Sequence, residues 1–102
     1  MINKIRSKVN CVQWMPNESY SHIRMKLDIC VYLRKLGVPF YTECYFDNGL
    51  RADVVFIPDG AEPTAVEVLE TEQTLSPHKK ESYPCEIITV KASDFFDKGM
   101  LE

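Results

Sequence analysis

The stretch RADVVFIPDGAEPTAVEVLETE, residues 51–72, sets Asp53 inside one apolar run and Glu67 inside the next, with a Pro-Asp-Gly turn between them. A strand made for burial has no structural use for a carboxylate, so each acid calls for a chemical reason. If the two strands are antiparallel neighbours, both acids lie well back from the turn, and register decides whether they meet. Carboxylates that meet repel each other and raise one pKa unless a cation lies between them. Such an oxygen-rich site suits Mg²⁺ or Mn²⁺, with water completing the shell. An ion held there can activate a water and stabilise charge on a phosphate in transit. The plainer alternative is a half-exposed sheet with both acids in solvent.

A second constellation stands earlier in the chain. Glu18, His22 and Lys26 are spaced i, i+4, i+8 and form one row along a helix, next to an apolar stripe. An acid, an imidazole and an amine in one row could line the mouth of a site, or be a solvated helix face. His78, Lys79 and Lys80 are a third group, open either to phosphate contact or to an ordinary solvated role. Trp14 and the tyrosines could stack on bases, or sit in core and rim.

The elements that must position these residues follow from periodicity and punctuation. PNESYSHIRMKLDICVYLRKLG reads as a helix with Asn17 as N-cap and Glu18 and Ser19 in its first turn. Ile23, Leu27, Cys30 or Val31, and Arg34 mark one stripe, and Met25, Ile29, Leu33 and Leu36 a neighbouring one, together a broad apolar face. Gly37 and Pro39 stop it. PFYTECYF is aromatic and β-rich, DNGL is a hairpin signal, and RADVVFI is a strand buried on both faces. TAVEVLET is a third strand. In these strands alternation puts Asp53 with Val55 and Ile57, and Glu67 with Ala65 and Leu69. LSPHKKESY reads as a short helix capped by Ser76, CEIITVKA as a fourth strand, and SDFFDKGM as a helical tail capped by Ser93. KVNCVQWM is a short strand or an arm. An antiparallel meander with a helical crossover to a further strand gives a mixed sheet with helices packed on it.

The order helix, three strands, helix, strand resembles the PD-(D/E)XK nuclease superfamily. RAD stands at the aspartate position, VEVLE at the E-x-K position, and ESYSHIRMK at the position of the helical glutamate. The resemblance covers residues 17–91 and implies a restriction-endonuclease-like core of order αβββαβ, an α/β (α+β) fold with a mixed central sheet flanked by helices. It implies Mg²⁺-dependent cleavage of DNA, or of RNA, with Asp53 and Glu67 holding the metal and Glu18 joining directly or through water. His22, Arg51 and Lys80 are the implied nucleic-acid contacts. The motif lysine should fall at residue 69, which is leucine. Three explanations stand. Lys26, Lys79 or Lys80 supplies the amine; an acid such as Glu70 substitutes, although it should face the other side of the strand; or catalysis is lost and the fold binds nucleic acid or protein silently. So small a core leaves little surface to grip a duplex, which points to a homodimer.

Bulk properties bound these expectations. A length of 102 residues is one domain, with residues 1–16 an arm or short strand, 17–91 the core and 92–102 a helical tail. Net charge is −3, which argues against a grip on nucleic acid by bulk electrostatics alone. Lys4, Arg6 and Lys8 gather ahead of the first helix. Cys11, Cys30, Cys44 and Cys85 form no C-x-x-C pair and read as structural thiols. No stretch matches a secretory signal or a membrane helix, so the expectation is a soluble cytoplasmic protein without membrane partner or organic cofactor. No G-x-S-x-G elbow or phosphate-binding glycine loop is present.

Overall fold

The computed structural model describes residues 2–70 and 81–101. Helix α1 spans Tyr20–Leu36, and strands β1 (Phe40–Tyr45), β2 (Arg51–Phe56), β3 (Thr64–Leu69) and β4 (Glu86–Lys91) follow, then a 3-10 turn at Lys98–Leu101. The fold is a small α+β domain with one mixed four-stranded sheet in the order β1-β2-β3-β4. β1 with β2 and β2 with β3 are antiparallel, and β3 with β4 is parallel. A parallel step requires the chain to cross from one end of the sheet to the other. The expected second helix, with His78, Lys79 and Lys80, falls mainly on residues outside the described ones; Glu81 and Ser82 are helical.

α1 starts later than its sequence suggests. Ser19, not Asn17, is the N-cap, its hydroxyl accepting the His22 N–H at 3.2 Å. Glu18 therefore precedes the helix, and its carboxylate accepts the Met15 N–H at 3.0 Å instead of lying in the first turn. At the other end Gly37 takes a left-handed φ of 71°. The Gly37 N–H donates to the Arg34 carbonyl and that of Val38 to the Leu33 carbonyl, the paired bonds that close a helix with glycine at this position.

Two apolar clusters sandwich the sheet. Met25, Ile29, Cys30 and Leu33 of α1 pack on Phe40, Val54, Phe56, Val66 and Val68. On the far side Tyr41, Cys44, Phe46, Ala52, Val55, Ala65 and Tyr83 form the second cluster. Only part of the broad helical face is buried: Leu27 and Val31, of the first stripe, stay 44% and 42% exposed. The residues before α1 form an arm beside β1, bridging it at Ile2–Phe46 and Val9–Tyr41 and covering what would be a free edge. All four cysteines are free thiols. Among the described residues no helix is long and apolar enough to cross a membrane.

Candidate functional site

The pairing of β2 with β3 runs Phe56–Thr64, Val55–Ala65, Val54–Val66. One step further, Asp53 and Glu67 face each other, and side chains take over the ladder. The Asp53 N–H donates to Glu67 Oε1 at 3.2 Å, and the Val68 N–H donates to Asp53 Oδ2 at 2.8 Å. Each acid thus satisfies a backbone donor of the other strand where the two strands part.

Simple alternation does not hold here. Ala52 and Val55 belong to the second cluster, while Val54 and Phe56 belong to the first. The faces change over between Ala52 and Val54, which turns Asp53 toward α1 and away from the side of Val55 and Ile57. Its Oδ2 lies 3.4 Å from His22 Nε2. Glu67 is only 7% exposed and accepts a hydrogen bond from the Tyr83 hydroxyl at 2.8 Å. The two acids meet through backbone and are tied to different neighbours.

β1 supplies a residue that the sequence reading overlooked. Glu43 adopts φ 46°, a left-handed conformation that costs a non-glycine residue roughly 1 kcal/mol or more. The twist brings its carboxylate under α1, where Lys26 Nζ lies 3.3 Å from Oε2 and Arg51 Nε 3.6 Å from Oε1. A charged residue inside the aromatic run PFYTECYF is the same signal that singled out Asp53 and Glu67.

The row Glu18, His22, Lys26 does come together. Lys26 Nζ straddles the Glu18 carboxylate, 2.8 Å from Oε2 and 3.0 Å from Oε1, and His22 Nδ1 pairs with the same Oε2. Lysine can reach back this far because helical side chains lean toward the N-terminus. Its place differs from the expected site mouth: Lys26 has no solvent exposure and lies beneath the cleft. The result is a chain of alternating charge, Asp53, His22, Glu18, Lys26, Glu43, Arg51. Among the described residues no buried side-chain nitrogen or oxygen lacks a hydrogen-bond partner.

Electrostatics follow from these contacts. The Asp53 carboxylate holds the His22 imidazole proton, against the opposing effect of burial and with help from Glu18, and raises its pKa to about 9. Burial pushes the Glu18 carboxyl up, but the Lys26 amine, the Met15 N–H and His22 together outweigh it and leave it below the ordinary range. For Glu43 burial wins over Lys26, and its carboxyl stands above the ordinary range. Burial, then the charge of Glu67, raises the Tyr83 phenol.

Above this chain opens a cleft of about 420 Å³ bordered by Glu18, His22, Glu43, Arg51, Asp53 and Glu70. Glu70 reaches it because it follows the last residue of β3, where alternation no longer applies, and it accepts a 2.6 Å bond from Ser19. Arg51, 41% exposed, offers a guanidinium at the rim. Leu69 takes no part in the cluster, and Lys79 and Lys80 lie outside the described residues. Carboxylate oxygens are the donors a hard divalent cation prefers. Among the described residues, however, no three His, Cys, Asp or Glu side chains are grouped to hold a metal ion; basic side chains stand between the acids. No protein-family model matches this chain, and neither characterised proteins nor solved structures give a match.

Proposed function

We propose that the chain is a small metal-dependent nuclease of the PD-(D/E)XK type, cleaving phosphodiester bonds in DNA, with RNA the second candidate. The observation that carries the proposal is the convergence of Glu18, just ahead of α1, and His22 of α1 with Asp53 of β2 around one cleft. Asp53 meeting Glu67 across the two strands adds to it. The element order, helix then antiparallel meander then parallel strand, fits the same reading.

Glu18, Asp53 and Glu67 would hold Mg²⁺ or Mn²⁺ only after His22 and Lys26 give way, because among the described residues they are not grouped around one ion as they stand. A bound ion supplies an activated water and neutralises charge on the phosphate. The chain's own residues do the positioning. Lys26, buried between Glu18 and Glu43, fixes both carboxylates and brings into the cluster the amine that position 69 lacks. Arg51 at the rim would contact phosphate, and Lys79 or Lys80, outside the described residues, would either do the same or supply the catalytic amine. His22 bridges Glu18 and Asp53 and would have to turn away to free them for a metal ion. Two copies, joined through the half-exposed Leu27 and Val31, would present two sites to two strands.

One observation favours a different reading. The acids already have their charges met from within by His22 and Lys26, which suits a catalytically silent binding module. Calorimetric titration with Mn²⁺ and Mg²⁺, together with cleavage of end-labelled DNA and RNA, separates the two. The nuclease shows saturable metal binding that Asp53→Ala abolishes, and cleavage only when metal is present. Wild-type protein that neither binds metal nor cuts would leave the silent module standing.

A further inference from the structure

The residues leading into α1 are pinned on both sides of Trp14. Ahead of it, Thr42, buried on β1, accepts the Gln13 N–H at 2.7 Å and donates to the Cys11 carbonyl at 2.7 Å. Behind it, Glu18 accepts the Met15 N–H at 3.0 Å and returns its own N–H to the Met15 carbonyl at 3.1 Å. The backbone is anchored to the domain, yet the indole is 65% exposed. A tryptophan left in water on an anchored segment is a feature of binding surfaces more than of stability.

Beside the ring lies a cavity of about 370 Å³ bounded by Trp14, Met15, Pro16, Glu18 and Ile23. Met15 and Glu18 also border the carboxylate cleft. A slot walled by an indole, a thioether, a proline ring and an isoleucine thus opens directly beside the acid cluster.

The geometry points to this slot as a stacking site for one unpaired nucleobase, so that the cleft takes single-stranded or locally opened nucleic acid in preference to intact duplex. The inference rests on the nuclease reading and names its substrate class. A base flanking a phosphate in the cleft is the occupant the position selects, because Glu18 serves both cavities. Every base has a π-face, so an apolar wall accepts it with little regard to sequence. Bases inside a duplex are stacked on one another and reach such a wall only after being turned out. The net charge of −3 denies the domain a general electrostatic hold on the backbone, so stacking would add grip close to the site beside the local contact of Arg51.

Trp14 is the single tryptophan in the chain, so its fluorescence reports on the slot alone. The protein is titrated in calcium buffer with a short oligothymidylate and, separately, with a blunt duplex. Indole emission and the anisotropy of the end-labelled strand are followed together. Oligothymidylate quenches Trp14, the duplex quenches it far less, and Trp14→Ala weakens single-strand binding about 5- to 150-fold, the range of base–aromatic stacking. Trp14→Phe restores most of the affinity. Because the ring is exposed, both variants keep the wild-type melting temperature. Equal single-strand affinity in wild type and Trp14→Ala, or equal quenching by duplex, overturns the slot while metal-dependent cleavage, measured in parallel, leaves the nuclease reading intact. Binding of neither probe, with no cleavage, overturns both.

Discussion

Replacing Lys26 by methionine removes the amine at the centre of the ion network and keeps most of the stem. Lys26 is fully buried, and the side chains of Glu18 and Glu43 are 7% and 8% exposed, at 2.8 Å and 3.3 Å from Nζ. At an effective dielectric of about 20 each attraction is of order 5 kcal/mol before desolvation is subtracted. Desolvation of the three groups cancels most of that. What the variant feels is two acids left with only their second partners, Glu18 with His22 and Glu43 with Arg51, a loss of up to about 3–5 kcal/mol. Protonation is a further relief, chiefly for Glu43. Glu43 already stands above the ordinary range, and without Lys26 its folded-state pKa rises further above the unfolded value. The folded variant then binds a proton more readily than the unfolded chain, so its deficit shrinks as pH falls. Urea unfolding near pH 8 and near pH 5 measures both quantities. Lys26→Met with Glu43→Gln removes one stranded charge, keeps the measurement possible if the single variant is too unstable, and recovers about half the loss. A Lys26→Met protein within about 1 kcal/mol of wild type near pH 8 would mean that the pairs are effectively solvated. A deficit independent of pH would refute the account of Glu43.

Other perturbations probe the same site. Lys26→Met with Glu43→Leu exchanges one ion pair for apolar packing but leaves Glu18 without Lys26, so by urea unfolding it recovers at least half of the Lys26→Met loss; a loss as large as that of Lys26→Met alone would count against this. His22 has a folded-state pKa of about 9 against an ordinary 6.5. Its contribution is therefore complete below 6.5 and lost as pH rises through 9. After allowance for solvent at the open cleft it amounts to about 1–2 kcal/mol. Thermal melts of His22→Gln should lack that alkaline decline, and curves parallel to wild type would dismiss the ion pair. Tyr83→Phe takes one donor from the buried Glu67 and lowers stability by about 1–2 kcal/mol in urea, whereas an unchanged midpoint would show that water replaces the hydroxyl.

The legible parts of the sequence are those whose signal is local. Gly37 and Pro39 mark the end of α1, Asn48 and Gly49 mark the hairpin, and the apolar runs of β2 and β3 mark strands buried on both faces. The start of α1 was not legible, because Asn17 and Ser19 are both good caps. The choice is made by tertiary contacts: Glu18 bonds back to Met15, and Ser19 also reaches Glu70. For the site, spacing brought Glu18, His22 and Lys26 together, but burial of Lys26 needs Glu43, which comes from another strand. No local signal announces a left-handed glutamate, since glycine or asparagine is the usual occupant of that conformation. The change of face at Asp53 is likewise a product of pairing, and strict alternation hides it. That Asp53 meets Glu67 depends on register, which the loop from Ile57 to Pro63 sets and the strand pattern does not.

A domain of this size optimised for stability alone would fill the space under α1 with side chains like those of Ile29 and Leu33, since an apolar replacement of a buried ion pair is neutral or favourable. This chain instead holds a lysine without solvent contact, two nearly buried glutamates and a strained backbone at Glu43. The arrangement orients the acids in advance, with the side nearest Lys26 fixed most firmly. Contacts are longest at the two ends of the network, which border the cleft: His22 to Asp53 is 3.4 Å and Arg51 to Glu43 3.6 Å, beyond the usual length of a nitrogen–oxygen hydrogen bond, against 2.8 Å for Lys26 to Glu18 and 3.3 Å for Lys26 to Glu43. His22 is also less buried than Lys26, at 12% side-chain exposure against none. The network is therefore loosest at its two ends, Arg51 with Glu43 and His22 with Asp53, and at the second of these His22 stays paired with Glu18. A nuclease requires His22 to leave Asp53, whereas a silent module is better served if it stays. The two functional readings part at that one imidazole.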